Sequence, residues 1–197
     1  DVVAMEWASQ LCWCLTTNED LLKHLEDTSL HEGCMTICQH YLTTPAGSGL
    51  VEASIGTMAN LASMAKRRSE IINTGAVELV LDGLRYHGDE FGICYEAALA
   101  LENFSLPPYL PDISSLLLKS EAVPLLTKRL NEFIDNPEFV IQGLRTLTGI
   151  ATLSDSAKRR LASPELLSVV ERSSTQHRNV DVIEMCCLFV ATLAMGT

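Results

Sequence analysis

Apolar residues recur at helical spacing along almost the whole chain, and the helices they predict come in sets of three. The clearest stretch is Ala76 to Tyr86, where Val77, Val80, Leu81 and Leu84 fall at i, i+3, i+4 and i+7, the one-sided stripe of an amphipathic helix. Before it, Lys66 to Asn73 predicts a short first helix, with Thr74-Gly75 as its stop and turn. After it, Gly88-Asp89 breaks the pattern, and Phe91 to Leu106 predicts a third helix that Pro107-Pro108 ends. The same trio is expected as Ile113 to Lys119, Glu121 to Phe133 and Pro137 to Leu153, and again as Ser156 to Ala162, Pro164 to Ser173 and Val180 to Met195. Upstream, Asn18 to Glu26, Ser29 to Thr43 and Leu50 to Ser63 make a looser set, separated by Pro45-Ala46-Gly47-Ser48-Gly49. No stretch alternates as a β-strand does, and no low-complexity linker splits the chain.

The third helices also share a phrase. Met58-Ala59-Asn60-Leu61-Ala62 returns as Leu101-Glu102-Asn103-Phe104-Ser105, then as Leu147-Thr148-Gly149-Ile150-Ala151 and Val190-Ala191-Thr192-Leu193-Ala194. Asn60, Asn103, Gly149 and Thr192 are thereby spaced 43, 46 and 43 residues apart, and Cys14-Leu15-Thr16 opens the chain as a partial copy. Val77, Val123 and Leu166 on the second helices repeat the alternation of 46 and 43. A period in this range is the mark of an α-helical solenoid, in which each repeat buries its apolar face only against its neighbours. The expectation is therefore an all-α fold, an α-solenoid of three-helix repeats. It would form one domain over 1–197, divided as a partial repeat 1–17 and repeats 18–63, 64–106, 107–154 and 155–197. Leu61, Phe104, Ile150 and Leu193 should then be equivalent buried residues.

The segment Lys66 to Ser105 resembles the armadillo repeat. Arg67, Ile71 and Ile72 before Gly75-Ala76-Val77, and then Ala97-Ala98-Leu99-Ala100-Leu101-Glu102-Asn103-Phe104-Ser105, carry the likeness, as does Ser54-Ile55-Gly56-Thr57-Met58-Ala59-Asn60-Leu61-Ala62. Within that family, Trp7 to Ile72, with Asn18-Glu19-Asp20-Leu21-Leu22, is similar to the serum amyloid A-like armadillo proteins. The resemblance implies a right-handed α-solenoid of armadillo/HEAT-like repeats, with a concave groove lined by third helices that receives an extended peptide. It makes Asn60 and Asn103 the residues matched to backbone clamps, since a carboxamide can bond both the N–H and the C=O of a passing peptide unit. The alternative is a helix-ending asparagine that bonds its own backbone. The tryptophan that import receptors of the family place four residues before the asparagine is replaced here by Gly56 and Leu99, and the later repeats carry Gly149 and Thr192. A receptor for nuclear-import signals is disfavoured, and the groove should be short.

Helical geometry then names the residues that share a face with each clamp position. These include Glu52 with Asn60, and Tyr95, Glu96 and Leu99 with Asn103; Gln142 and Arg145 follow in the third unit and Glu184 and Leu188 in the fourth. Acid, amide and one large aromatic residue suit a basic segment with an apolar anchor, against the alternative of a solvated face that binds nothing.

Charge points the same way. The 197 residues hold 14 basic and 25 acidic side chains, a formal charge of −11, which disfavours phosphate backbones and anionic lipid and favours a protein or peptide partner, a basic one above all. No apolar run approaches the roughly 18 residues of a membrane span. The seven cysteines are odd in number and mostly lie at core spacing, so reduced thiols and a cytoplasmic or nuclear address are expected. The chain starts at Asp1 already inside an apolar pattern, as an excised portion would.

Other chemistry is thinly represented. His24, His31, Cys34, Cys38 and His40 cluster, yet neither C-x-x-C nor H-E-x-x-H occurs, so no metal is expected. With no phosphate loop, dinucleotide fingerprint or nucleophile elbow, neither an enzyme nor a cofactor is expected. Two basic triplets, Lys66-Arg67-Arg68 and Lys158-Arg159-Arg160, stand 92 residues apart, and their recurrence suggests bonding across the stack, with contact to an acidic or phosphate-bearing partner as the alternative. The rival to a peptide groove is self-association through Trp7, Cys12, Trp13 and Leu15 or through Met185 to Met195, since terminal repeats need polar caps that these segments lack.

Overall fold

The computed structural model describes residues 2–195 except Glu26. Thirteen α-helices and one 3-10 turn account for the regular structure among the described residues, with about 80% of the chain helical and no strand. Two compact units are formed, 1–104 and 105–197.

In the first unit α1 (Val2–Thr16), α2 (Glu19–His24), α3 (Leu30–Tyr41), α4 (Ser48–Ala62), α5 (Ala65–Asn73), α6 (Ala76–Tyr86) and α7 (Phe91–Phe104) follow one another. Their boundaries have local causes. The Asn18 side chain accepts from Asp20 and Leu21 N–H and so starts α2. Gly75 joins α5 to α6 at φ 89°, a conformation costly for any residue with a Cβ. α4 begins at Ser48, earlier than the apolar pattern alone indicates, because the 3-10 turn Pro45–Gly47 runs directly into it.

α4 is the axis of this unit. It packs against α1, α3 and α7, and Leu50, Val51, Ala53, Ile55, Met58, Ala59, Leu61 and Ala62 are all buried. Helices three places apart in the order pack on one another, α1 on α4, α4 on α7 and α3 on α6. Polar bonds join the same partners: His87 Nε2 meets the Leu42 carbonyl at 2.5 Å, across 45 residues.

The second unit holds α8 (Ile113–Lys119), α9 (Ala122–Glu132), α10 (Pro137–Thr152), α11 (Asp155–Leu161), α12 (Pro164–Gln176) and α13 (Val180–Ala194). Asn136, Ser154, Ser163 and Asn179 cap α10, α11, α12 and α13 through their side-chain oxygens. Here too α10 packs on α13 and α9 on α12, and His177 Nε2 meets the Ile134 carbonyl at 2.6 Å, across 43 residues. The pattern of His87 thus recurs in a unit with different residues around it. Leu61, Phe104, Ile150 and Leu193 are all buried, as the shared phrase requires.

Candidate functional site in the first unit

Along α4 positions 52, 56 and 60 fall one turn apart, 56 and 60 meeting α1 and 52 meeting α7. At Gly56 the space beside the backbone is filled by Trp13 of α1: an added Cβ would lie 2.5 Å from its Nε1 and 2.7 Å from Cε2. Asn60 Nδ2 donates to Thr16 Oγ1, also on α1, at 3.1 Å. On the other flank, the Glu52 carboxylate lies where a side chain on Gly92 of α7 would stand. Glu6 of α1 has the same relation to Gly49, the second residue of α4, just as Gly92 is the second residue of α7. In both cases a glycine lets a carboxylate from one helix reach the electropositive first turn of the helix three places on.

The structure places Asn103 on the inside. It is buried, and Nδ2 donates to the Ala59 carbonyl of α4 at 2.8 Å. The last turn of α4 tightens, with Ser63 N–H donating to the Asn60 carbonyl at 3.2 Å and Met64 N–H to that of Leu61, and Asn103 provides the donor for the Ala59 carbonyl. The amide nitrogen that a peptide clamp would use is therefore already engaged in tying α7 to α4, and that of half-buried Asn60 in tying α4 to α1.

Arg68 completes the same helix end. Its Nε donates to the Ala62 carbonyl at 2.9 Å and Nη2 to that of Ser63 at 3.1 Å, a cation at a helix C-terminus. Buried Arg67 binds Glu70, the Thr28 carbonyl and His31 Nδ1. Burial, and then Arg67, hold the His31 imidazole below its ordinary pKa, in its neutral form. The first basic triplet thus works between helices. The second shares only part of that role: Lys158 donates to the Met195 carbonyl at 2.6 Å, while Arg159 and Arg160 are exposed.

On α7, Tyr95 and Leu99 are half-buried and one turn apart, with Phe91 against Tyr95 at a ring separation of 5.8 Å. Beside them Glu96 is only 7% exposed, and its Oε2 has no hydrogen-bond partner among the described residues. Burial first, and the Glu52 charge second, push its carboxyl up to about 7. Glu52 is itself raised, by burial and then by Glu90. The structure therefore brings Glu52 near Glu96, Tyr95 and Leu99 of α7, whereas Asn60 and Asn103 lie about two turns beyond Glu52 and Glu96 along α4 and α7.

Gln142 and Arg145 belong to the second unit. Gln142 is buried and donates to Thr146 Oγ1 at 3.4 Å. Arg145 is exposed and borders a cavity of about 470 Å³ with Asp181, Glu184 and Leu188.

Sequence reasoning singled out Trp13 only for self-association, whereas the structure packs it on Gly56, and it missed Gly92 and Glu90. A signal for Gly92 existed: Gly49 and Gly92 are 43 residues apart, the chain's own period, at matching positions of their helices.

The cysteines are free thiols throughout. Cys34 and Cys38 are buried in α3, and desolvation pushes each up to about 12, so both thiols are protonated. Among the described residues no group of three His, Cys, Asp or Glu is placed to hold a metal. No helix among them is long and apolar enough to cross a membrane.

The class that these units define is all-α with recurring three-helix packing. Over 98% of its length the chain superposes on 74% of an engineered protein whose crystal structure comes from the Northeast Structural Genomics Consortium, with a TM-score of 0.79 at 20% sequence identity. At that identity the similarity concerns the fold alone. No protein-family model matches the sequence, and no curated protein matches it.

Proposed function

We propose that the chain is an armadillo-like, right-handed helical-repeat scaffold for protein binding, and that it takes an extended, basic segment of a partner across the third helices of the first unit. The observation that carries this reading is the pairing of half-exposed Tyr95 and Leu99 with two carboxyl groups, Glu52 and Glu96, that no cation neutralises by an ion pair among the described residues. An apolar anchor beside acidic groups suits a segment with an aliphatic or aromatic side chain next to a basic one. The formal charge of −11 would draw such a segment in from solution. In this reading Asn60 and Asn103 hold the groove's wall in register, and the contacts to the partner come from the residues beside them. A cytoplasmic or nuclear address belongs to the same proposal and rests on the seven unpaired thiols.

The test is a positional-scanning library of extended nonapeptides against isotope-labelled full chain. Selection for Lys or Arg next to an apolar residue, with amide shifts along α4 and α7, is the expected result. Indifference to charge, or shifts confined to α6 or to the second unit, would refute it.

Self-association is the second reading, favoured by exposed apolar side chains on two helices. α1 exposes Val3, Trp7 and Leu11, and α13 exposes Val180, Leu188 and Val190. Light scattering over a hundredfold range of concentration distinguishes a monomer from an assembling chain.

A further inference from the structure

Glu96 poses a specific physical problem. A buried carboxylate needs donors, and its Oε2 has none among the described residues. The surroundings do not supply a cation. From α4 the facing group is Glu52, brought against the first turn of α7 because Gly92 leaves room for it, and the turn before α7 adds Glu90 next to Glu52. From α5, Lys66 pairs with Asp27 at 3.0 Å, Arg67 with Glu70, and Arg68 with the end of α4. From α6, Arg85 is engaged by Glu78 and Asp82. His87, between α6 and α7, is bonded to Leu42.

Buried Glu96 lies beside half-buried Glu52, so ionising both carries a cost, and with its carboxyl raised to about 7 Glu96 is protonated in a substantial fraction of the free protein at neutral pH.

We propose that Glu52 and Glu96 form a proton-for-cation exchange site, in which the guanidinium of an arginine on the bound segment displaces the proton held on the pair. Arginine is favoured over lysine because its charge is delocalised, weakly hydrated and presented as a fork that can serve two carboxylates at once. The exchange balances simply: Glu96 gives its proton to solvent as the cation arrives, and both carboxylates are ionised in the complex. Binding of an arginine-bearing segment is then coupled to pH, strengthening as pH rises through neutrality. The proposal rests on the groove reading above and adds to it the identity of the basic residue and its proton linkage.

The first probe is ethylguanidinium chloride, titrated into full chain carrying ¹³C-labelled glutamate, with sodium chloride of equal ionic strength as control. The Glu96 carboxyl resonance should shift with ethylguanidinium alone. Its midpoint should fall as the probe saturates, and affinity should be roughly tenfold or more higher at pH 8 than at pH 5.5, the change in ionised fraction expected of a group titrating near neutrality. E96Q should remove the pH dependence while its melting and circular dichroism show the fold intact. E52Q should weaken binding and lower the Glu96 midpoint in the free protein. If ethylguanidinium leaves the Glu96 resonance where sodium chloride leaves it, or binds E96Q as it binds the native chain, the exchange site is wrong.

The second probe separates this from the groove itself, using an acetylated nonapeptide with one arginine and one leucine. Peptide shifts along α4 and α7 with an unmoved Glu96 would overturn the exchange and leave the groove standing. Ethylguanidinium bound at Glu96 with no peptide bound on that face would support the exchange site and overturn the groove.

Discussion

At the scale of single residues, Asn103 and Glu96 carry opposite energetic signs. Asn103→Ala removes a buried bond and leaves the Ala59 carbonyl without its 2.8 Å donor, so it should cost about 1–2 kcal/mol in urea denaturation. Asn60→Ala, half-buried and bonded to a hydroxyl, should cost less. Glu96→Gln should stabilise, with a definite pH signature. The folded carboxyl titrates at about 7, above its ordinary value, so from about pH 4.5 to 7 the folded chain holds the extra proton and stability falls as pH rises. The glutamine variant lacks that fall. The two proteins should be equally stable near pH 4 and should separate by up to about 3 kcal/mol at pH 8, read from urea midpoints at each pH. The positions of Asn60 and Asn103 were legible in sequence because the 43-residue spacing fixes them at matching helix ends. What the amides bond was not legible, since that depends on which carbonyl the tightened last turn of α4 leaves to a neighbour. The acidity of Glu96 was hidden for a related reason: burial from several sides is a property of packing, and helical periodicity reports only which face a residue shares.

At the scale of elements, sequence and structure agree closely. α6 and α8 span the residues their apolar stripes and breakers indicate, and Pro137 and Pro164 stand first in α10 and α12, where a missing N–H costs nothing. Agreement is good because caps and breakers act within one turn. Gly56 shows where such local signals end. In a helix interior, alanine is ordinarily preferred to glycine by up to about 1 kcal/mol. Here a Cβ would meet rigid ring atoms of Trp13 at 2.5–2.9 Å, and overpacking of that kind costs about 1–3 kcal/mol, so the ring wins. Gly56→Ala should therefore destabilise by about 1–2 kcal/mol and red-shift tryptophan emission as Trp13 leaves α4, measured by fluorescence during urea titration.

At the scale of the molecule, the chain divides into units 1–104 and 105–197. The segment that follows α7 is not helical until Ile113, and Tyr109 within it is 51% exposed. Limited chymotrypsin digestion should cut first after Tyr109. Tyr86, at 59% exposure, should resist because it lies in α6 and a protease needs several residues of extended chain. Mass spectrometry of the early fragments decides between them. A last consequence comes from the bonds that join helices three places apart. Asn60 to Thr16, Asn103 to Ala59, His87 to Leu42 and His177 to Ile134 each reach back 43 to 45 residues, always to the element that occupied the same place one period earlier. A duplication of one whole period inside a unit would therefore hand every newcomer a ready partner on both sides, and a deletion of one would rejoin partners of the same kind. Length is in this sense a free variable for the chain, open to change by copying and excision, whereas an insertion of half a period would set each of these bonds against the wrong neighbour.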